Sequence, residues 1–217
     1  MSTDLGRTQQ EHWQSVYQAA PHMYGDQPSE PCRTAAELFR AEQVRTVLEL
    51  GAGHGRDALF FAERGFHVHA TDFSATGIEQ LRKRAEREGV AENVTTLVHD
   101  VRDPIPMPDS SVDAVFAHML LCMALSTDEI HALVREVGRV LQPGGAFVYT
   151  ARHTGDDHCG AGTSHGDGIY EQGGFAVHFF DDELVSSLAR EWQLREVHAF
   201  EEGELPRRLW RVTQIKR

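Results

Sequence analysis

Short apolar runs and segments with helical periodicity alternate along this chain. The apolar runs predict strands at 46–50, 66–71, 94–98, 112–117, 146–150, 195–200 and 208–216. Apolar residues at helical spacing predict helices at 9–20, 33–41, 57–63, 74–89, 126–141 and 181–192. Alternation of strand and helix predicts a parallel sheet with right-handed crossovers. Because no helix separates the last two strands, we expect them to form a hairpin that brings one antiparallel strand into the sheet.

A glycine-rich turn, Glu49-Leu-Gly-Ala-Gly-His-Gly55, follows the first predicted strand. Glycine allows a sharp turn and a close approach of the backbone to a ligand. Asp72 ends the second strand, at about the 20-residue spacing at which an acid binds the hydroxyls of a ribose. A dinucleotide site would have its third glycine at Arg56, and the carboxylate of Glu49 suits a cationic or amino-bearing ligand. The pattern therefore indicates a nucleoside site and disfavours the alternative, an NAD-linked oxidoreductase.

Four further segments follow the glycine turn in order, at 70–74, 99–101, 111–116 and 141–145. With that turn they resemble five ordered motifs of the class I methyltransferases that use S-adenosylmethionine. The resemblance implies an α/β fold with a doubly wound, Rossmann-like sheet of seven strands. It implies the strand order 3-2-1-4-5-7-6, with strand 7 antiparallel and helices on both faces. It also implies S-adenosylmethionine as the cofactor and S-adenosylhomocysteine as the product.

The resemblance further implies where the cofactor binds. The methionine part is expected over the glycine turn, the ribose at Asp72 and the adenine near Phe73 and Val101. His118 and Met119 are expected close to the methyl group. The predicted cofactor-binding residues are Tyr24, Glu49, Gly51, Ala52, Gly53, Arg56, Asp72, Phe73, Asp100, Val101, His118 and Met119. Two alternatives are that the glycines serve only the turn and that Asp72 only caps the next helix.

The chain is expected to form a single methyltransferase domain over residues 1–217. Its parts are an N-terminal helical lid (1–41), a cofactor-binding core (42–151), a substrate loop (152–178) and a C-terminal helix with a β-hairpin (179–217). In related methyltransferases the N-terminal segment folds over the cofactor, which makes Tyr24 the candidate to touch it. For Trp13 and Tyr17, packing of their helix on the sheet edge is an equal alternative.

The segment after the fifth strand is rich in glycine, histidine and acids and has few apolar residues. Long loops of this kind are usually functional or disordered, so we expect a mobile substrate loop above the carboxyl ends of the strands. Imidazole and thiolate groups at His153, His158, Cys159 and His165 are metal-ligand types. Their spacing matches no standard zinc pattern, and we expect no metal.

Three histidines are candidate general bases: His118, His153 and His178. A hydroxyl or protonated amine needs a base before it can accept a methyl group, whereas a thiolate or chalcogen anion needs little more than alignment. His178 either faces the pocket, with Val177 and Phe179 turned inward, or is a hydrogen-bonded histidine of the core.

Composition narrows the expected partners. A net charge of −12 argues against a nucleic-acid backbone as the main partner. Three cysteines without paired spacing, a polar N-terminus and no stretch of membrane-spanning length predict a soluble, cytoplasmic protein, either a monomer or a homodimer.

The expected activity is methylation of a small molecule at a thiol, chalcogen, amine or hydroxyl. Gly55-Arg-Asp57 and the compact length look most like the tellurite-resistance and thiopurine methyltransferase branch. The alternatives are methylation of a protein or natural product, and a regulator that binds S-adenosylmethionine without catalysis.

Overall fold

The computed structural model describes residues 2–20, 25–203 and 207–217, and within these ranges the chain forms two β-sheets. The strands are β1 (Thr46–Leu50), β2 (His67–Asp72), β3 (Val94–Val98), β4 (Val112–Ala117), β5 (Leu141–Arg152), β6 (Thr163–Gly166), β7 (Ile169–Gln172), β8 (Phe175–His178), β9 (Trp192–Glu202) and β10 (Arg207–Lys216). Seven of them form the large sheet in the order β3-β2-β1-β4-β5-β10-β9. Strand β10 is antiparallel to β5 and β9, and the other pairs are parallel. The predicted fold class and strand order are confirmed.

Helices cover both faces of the large sheet. They are α1 (Ser2–Ala19), α2 (Glu30–Ala41), α3 (Arg56–Glu63), α4 (Ala75–Arg87), α5 (Thr127–Val140) and α6 (Asp182–Leu188), with a short 3-10 helix at Ala91–Asn93. Helices α2, α3 and α4 share one apolar core with the sheet, centred on Phe39, Phe61 and Phe116. Helices α5 and α6 share the other core. Among the described residues, no helix has both the length and the apolar character needed to cross a membrane.

The helix starts follow from capping side chains. Ser126 accepts a hydrogen bond from the backbone of Glu129, whose carboxylate in turn accepts one from the backbone of Ser126. Such a capping box satisfies two helical N–H groups that would otherwise lack partners. Ser74 caps α4 in the same manner through the N–H of Gly77. Both helices therefore begin at a serine that caps their first turn.

The segment after β5 is a folded unit rather than the irregular loop that we expected. Strands β6, β7 and β8 form a three-stranded antiparallel sheet between β5 and α6. Strands β6 and β7 join at Asp167 and Gly168, and β7 and β8 join at Gly173 and Gly174. All four of these residues have positive φ angles, as two-residue hairpin loops require.

Two other element boundaries differ from the prediction. Helix α6 ends at Leu188, and Trp192 is the first residue of β9 rather than the last residue of a helix. Trp192 pairs with Lys216 of β10 and its ring packs against Phe147 at 5.9 Å between centroids, so strand pairing overrides the helical spacing. Helix α1 begins at Ser2, well before the predicted start at Gln9.

Candidate active site

The glycine turn after β1 lies directly against two other elements. Gly53 and Gly55 have φ angles of +56° and +90°, a left-handed conformation that side chains other than glycine rarely adopt. A Cβ atom at Gly53 would clash with the hydroxyl of Tyr17 from α1, and one at Gly55 would clash with Leu81 from α4. The glycines therefore allow both the turn itself and the close packing of α1 and α4 on it.

Asp72, at the carboxyl end of β2, lies beside the glycine turn. Its carboxylate accepts hydrogen bonds from the N–H of Gly53 and the N–H of Ser74, both at 2.8 Å. A carboxylate has about four acceptor positions, so roughly half remain for a ligand. Burial raises the pKa of Asp72 to about 6, although the hydrogen bonds from Ser74 and Gly53 act in the opposite direction.

Glu49 is the second carboxylate at the strand ends. It is 3% exposed, and within the described residues its Oε2 atom has no hydrogen-bond partner. Burial and the nearby charge of Asp57 raise the pKa of Glu49 well above its usual range, and the charge of Arg56 opposes this only in part. A buried carboxylate without a partner is costly, and an amino group from a ligand would satisfy it.

A cavity of about 560 Å³ opens above these carboxylates. Eight of the predicted cofactor-binding residues line it: Glu49, Gly51, Ala52, Arg56, Asp72, Phe73, His118 and Met119. Gly53 does not line the cavity and contributes its N–H to Asp72 instead. Tyr24 lies outside the described residues.

Asp100 and Val101, expected near the adenine, do not line the cavity. The guanidinium of Arg102 binds both carboxylate oxygens of Asp100, at 3.1 and 3.2 Å, and also donates to the carbonyl of Ala124. Val101 packs against the core beneath α5. Of the three residues predicted near the adenine, Phe73 is therefore the one that lines the cavity, and the role of Asp100 and Val101 stays a prediction.

His118, directly after β4, connects three elements. Its Nδ1 atom lies 2.9 Å from the hydroxyl oxygen of Thr150 on β5, and its Nε2 atom lies 3.4 Å from a carboxylate oxygen of Glu202 on β9. Burial acts to raise the pKa of Glu202, but the hydrogen bond and charge of His118, with the charges of Arg56 and Arg207, lower it to about 2. The imidazole of His118 is therefore held between a hydroxyl and an ionised carboxylate.

The three-stranded sheet forms the roof of the cavity. Side chains alternate between the two faces of a strand, and Tyr170, Gln172, Phe175 and Val177 share the face that lines the cavity. His178 lies on the opposite face, is 3% exposed and has its Nδ1 atom 2.7 Å from the carbonyl of Leu125. The expectation that His178 faces the pocket is therefore wrong, since Val177 and Phe179 line the cavity instead.

The other histidines of this segment are held apart from one another. His153 stacks on Trp210 at 4.7 Å between ring centroids and does not line the cavity. His158 contacts Arg152 and Asp156, whereas His165 pairs with Glu171. Within the part of the chain that the structure describes, no group of three or more histidine, cysteine or acidic side chains is arranged to hold a metal ion.

Comparisons with known proteins agree with this geometry. The methyltransferase domain family matches residues 47–145. Phosphoethanolamine N-methyltransferase 1 of Triticum aestivum is 40% identical over 103 residues, which cover 46% of this chain and 20% of the wheat protein. The solved 1,6-didemethyltoxoflavin-N1-methyltransferase of Burkholderia thailandensis superposes with a TM-score of 0.77 at 17% identity, over 100% of this chain and 90% of that one. Residues 47–145, a little under half of the chain, match the methyltransferase domain family, and the whole chain shares its fold with solved S-adenosylmethionine-dependent methyltransferases.

The solved structures similar to this chain also include TehB of Haemophilus influenzae. That structure has a TM-score of 0.65 and 16% identity over 85% of this chain and 62% of TehB. An identity this low shows a shared fold alone. The matched region also spans only 20 to 22% of the two wheat relatives, so it is the domain that is shared and not the whole of those proteins.

S-adenosylmethionine, the cofactor of this methyltransferase class, fits the donors and acceptors that the cavity offers. Its amino group matches the unpartnered Oε2 atom of Glu49, and its ribose hydroxyls match the remaining acceptor positions of Asp72. The chemistry at the ends of β1 and β2 therefore agrees with the family assignment.

The polar cavity residues that were not predicted from the sequence include Arg152, Glu202 and Arg207. They lie on β5, β9 and β10, far along the chain from the glycine turn. No local motif marks them, because strand pairing alone brings them to the cavity. The register Arg207↔Glu202 places these two residues directly opposite each other, on the same face of the sheet.

Proposed function

We propose that this chain transfers the methyl group of S-adenosylmethionine to a small-molecule acceptor that binds between the ends of β4 and β5 and the three-stranded roof. The observation that carries the proposal is the single cavity that joins the carboxylates at the strand ends to an apolar roof. Its volume of about 560 Å³ is in the range of small-molecule sites. The acceptor would enter beside His118 and Met119.

The cofactor would be held mainly at the ends of β1 and β2. Glu49 would accept hydrogen bonds from the amino group, and Arg56 would pair with the carboxylate of the methionine part. Asp72 would accept hydrogen bonds from the ribose, with Phe73 next to the adenine. When bound, the cofactor supplies a methyl group on a positively charged sulfur, which makes the methyl group electrophilic.

Proton removal from the acceptor would fall to His118. In the tautomer whose Nδ1–H donates to Thr150, the Nε2 atom carries a lone pair and does not donate to Glu202, so it could take a proton from a hydroxyl or an amine of the acceptor. The ionised Glu202, at 3.4 Å, would then stabilise the imidazolium that forms. A thiol or chalcogen acceptor that binds as an anion would not need this step, so its transfer would rely on alignment and the exclusion of water.

Two other acceptor classes are weaker candidates. Relatives that match the same region include methyltransferases of tRNA. Against a tRNA acceptor, the chain has a net charge of −12, whereas phosphate binding requires a basic surface. A protein acceptor would need an open groove, but α1 and the three-stranded roof both contribute to the walls of this cavity.

The proposal is tested by measuring S-adenosylhomocysteine release from the full chain with thiol, amine, phenol and chalcogen acceptors, each with and without S-adenosylmethionine. We expect turnover with at least one of these classes. Turnover with tRNA or protein alone would contradict a small-molecule acceptor. Tight binding of S-adenosylhomocysteine without turnover of any acceptor would instead indicate a regulator.

A further inference from the structure

Strand register gathers two arginines and one glutamate on one wall of the cavity. Arg152 of β5 pairs with Leu209 of β10, and Arg207 lies two residues before Leu209, so both arginines are on the same face of the sheet. Glu202 of β9 pairs with Arg207 and shares that face. Arg152 and Arg207 are diagonal neighbours on paired strands, and such residues are roughly 7 to 8 Å apart. The two guanidinium groups can therefore approach the same ligand.

The two arginines differ in how they are held. Arg152 donates from Nε and Nη2 to the two carboxylate oxygens of Asp156, and its guanidinium lies 5.2 Å from the ring centre of Phe179. Its Nη1 group has no hydrogen-bond acceptor among the described residues. Arg152 is therefore fixed in place with one N–H₂ group still available.

Arg207 lines the cavity, and within the part of the chain that the structure describes its guanidinium has no hydrogen-bond acceptor and no close ion pair. Its charge acts at longer range on Glu202, the residue opposite it on β9. Arg56, by contrast, lies 3.9 Å from both Asp57 and Glu202. An arginine whose N–H groups lack an acceptor in a partly enclosed cavity favours a ligand that carries a carboxylate or a phosphate.

Aromatic side chains line the roof of the same cavity. Tyr170 and Phe175 face the cavity from neighbouring strands, and Phe179 lies 6.2 Å from Tyr170 between ring centroids. Trp13 of α1 closes the same side, edge-on to Phe175 at 5.3 Å. Aromatic walls of this kind bind planar ring systems by stacking and edge contacts.

From these observations we infer that the methyl acceptor is a planar aromatic molecule with an anionic substituent, which binds to Arg207 and the free N–H₂ group of Arg152. The inference rests on the proposed function because it assigns the acceptor end of the same cavity. The two ends of the cavity then carry side chains of opposite charge. Carboxylates at the ends of β1 and β2 face the amino group and ribose of the cofactor, and arginines on β5 and β10 face the acid of the acceptor.

The test uses matched acids and amides as probes of the full chain saturated with S-adenosylhomocysteine. Benzoate, 2-naphthoate and indole-3-carboxylate are compared with their primary amides by ligand-observed NMR and calorimetry. We expect each acid to bind about tenfold or more tightly than its amide, because its carboxylate forms charge-assisted hydrogen bonds that a neutral amide cannot form. Arg207→Met should remove this preference and leave the affinity for S-adenosylhomocysteine unchanged.

Arg195→Met is the matched control, since Arg195 lies on the same hairpin, pairs with Glu42 and does not line the cavity. It should keep the preference for acids. Equal affinity of acids and amides, or no binding of the acids, would overturn the inference. Loss of S-adenosylhomocysteine affinity in Arg207→Met would overturn it too, because Arg207 would then serve the cofactor. If the unaltered chain does not bind S-adenosylhomocysteine, the proposed function fails, and the acids and amides are compared on the unliganded chain.

Discussion

Glu49 and Glu202 line the same cavity, yet their surroundings shift their pKa values in opposite directions. Burial next to Asp57 raises the pKa of Glu49, whereas His118 and Arg56 overcome the effect of burial and lower the pKa of Glu202 to about 2. Glu202 is therefore ionised throughout the neutral range. Carboxylates with opposite shifts in one cavity commonly have different roles. Here Glu49 suits an amino group and Glu202 suits an imidazolium.

The role of Glu202 leads to a prediction about acceptor chemistry. Glu202→Gln removes the charge that stabilises protonated His118, so kcat for a hydroxyl or amine acceptor should fall by about a hundredfold, the lower range for general base catalysis. With a thiolate acceptor the same substitution should change kcat little. Initial rates with the two acceptor classes, at saturating S-adenosylmethionine, provide the measurement.

Glu201→Gln is the control for this comparison, because Glu201 is the exposed neighbour of Glu202 and pairs with Arg208. It should have no effect on either acceptor class. An equal loss of kcat for both acceptor classes in Glu202→Gln would contradict a role in proton transfer and would indicate a role in holding the site together.

Sequence reasoning found the site residues that follow a local motif and missed those that depend on pairing. Glu49 and Asp72 flank recognisable strand ends, and His118 directly follows a strand. Glu202 and Arg207 carry no such mark, because a hairpin brings them to the cavity from the end of the chain. The orientation of His178 failed for a related reason, since a shift of one residue in a strand turns a side chain to the opposite face.

At the scale of elements, α1 connects the cofactor side of the cavity to its roof. Gln9 donates to the carbonyl of Gly174 at 2.9 Å and accepts from the N–H of Ala176 at 3.1 Å. One turn further on, Gln14 accepts a hydrogen bond from the hydroxyl of Ser74 at the start of α4. The helix therefore links β8 to α4, which is consistent with the predicted lid.

Gln9 provides a direct test of this link. It is 3% exposed, so Gln9→Ala leaves the buried N–H of Ala176 without a partner, which costs about 1 to 3 kcal/mol, and also removes a bond to the half-buried carbonyl of Gly174. We expect faster hydrogen exchange at the amide of Ala176 and a lower melting temperature. Gln18→Ala changes the same residue type at an exposed position of the same helix and should have neither effect. Unchanged exchange at Ala176 in Gln9→Ala would show that α1 does not hold the roof.

The roof sheet was the main element that the sequence did not predict, although its turns carry a signal. Asp167-Gly168 and Gly173-Gly174 are two-residue sequences of the kind that favours tight hairpin turns. The three strands that these turns connect have only four residues each, and β6 is polar and exposed. Short strands without alternating apolar residues give no clear strand signal in the sequence. The many glycines of this segment therefore predict a loop.

At the scale of the molecule, the alternation of strands and helices predicts a parallel sheet with right-handed crossovers, and the missing helix before β10 predicts an antiparallel strand. The order of the seven strands is implied by the resemblance to the class I methyltransferases and not by these rules. That order places the ends of β1, β2 and β4 together. It contains no information about the proposed acceptor end of the cavity, because the residues that line that end come from β7, β8 and the β9–β10 hairpin.

The affinity for S-adenosylhomocysteine is expected to depend on pH because of Asp72. Burial raises the pKa of this carboxyl to about 6, so it is ionised above that pH and protonated below it. Only the ionised form can accept hydrogen bonds from both ribose hydroxyls while it keeps those from Gly53 and Ser74. The affinity for S-adenosylhomocysteine should therefore fall as the pH decreases through about 6.

The most direct measurement is calorimetric titration of S-adenosylhomocysteine into the unaltered chain and Asp72→Ala, at several pH values from 5 to 8. We expect the unaltered chain to bind S-adenosylhomocysteine with an affinity that falls below about pH 6. We also expect a loss of affinity on the order of a hundredfold in Asp72→Ala, since two charge-assisted hydrogen bonds are removed. Asp128→Ala, at an exposed acid on α5, should bind as the unaltered chain does. Unchanged affinity in Asp72→Ala, or no binding by the unaltered chain, would contradict the cofactor site described above.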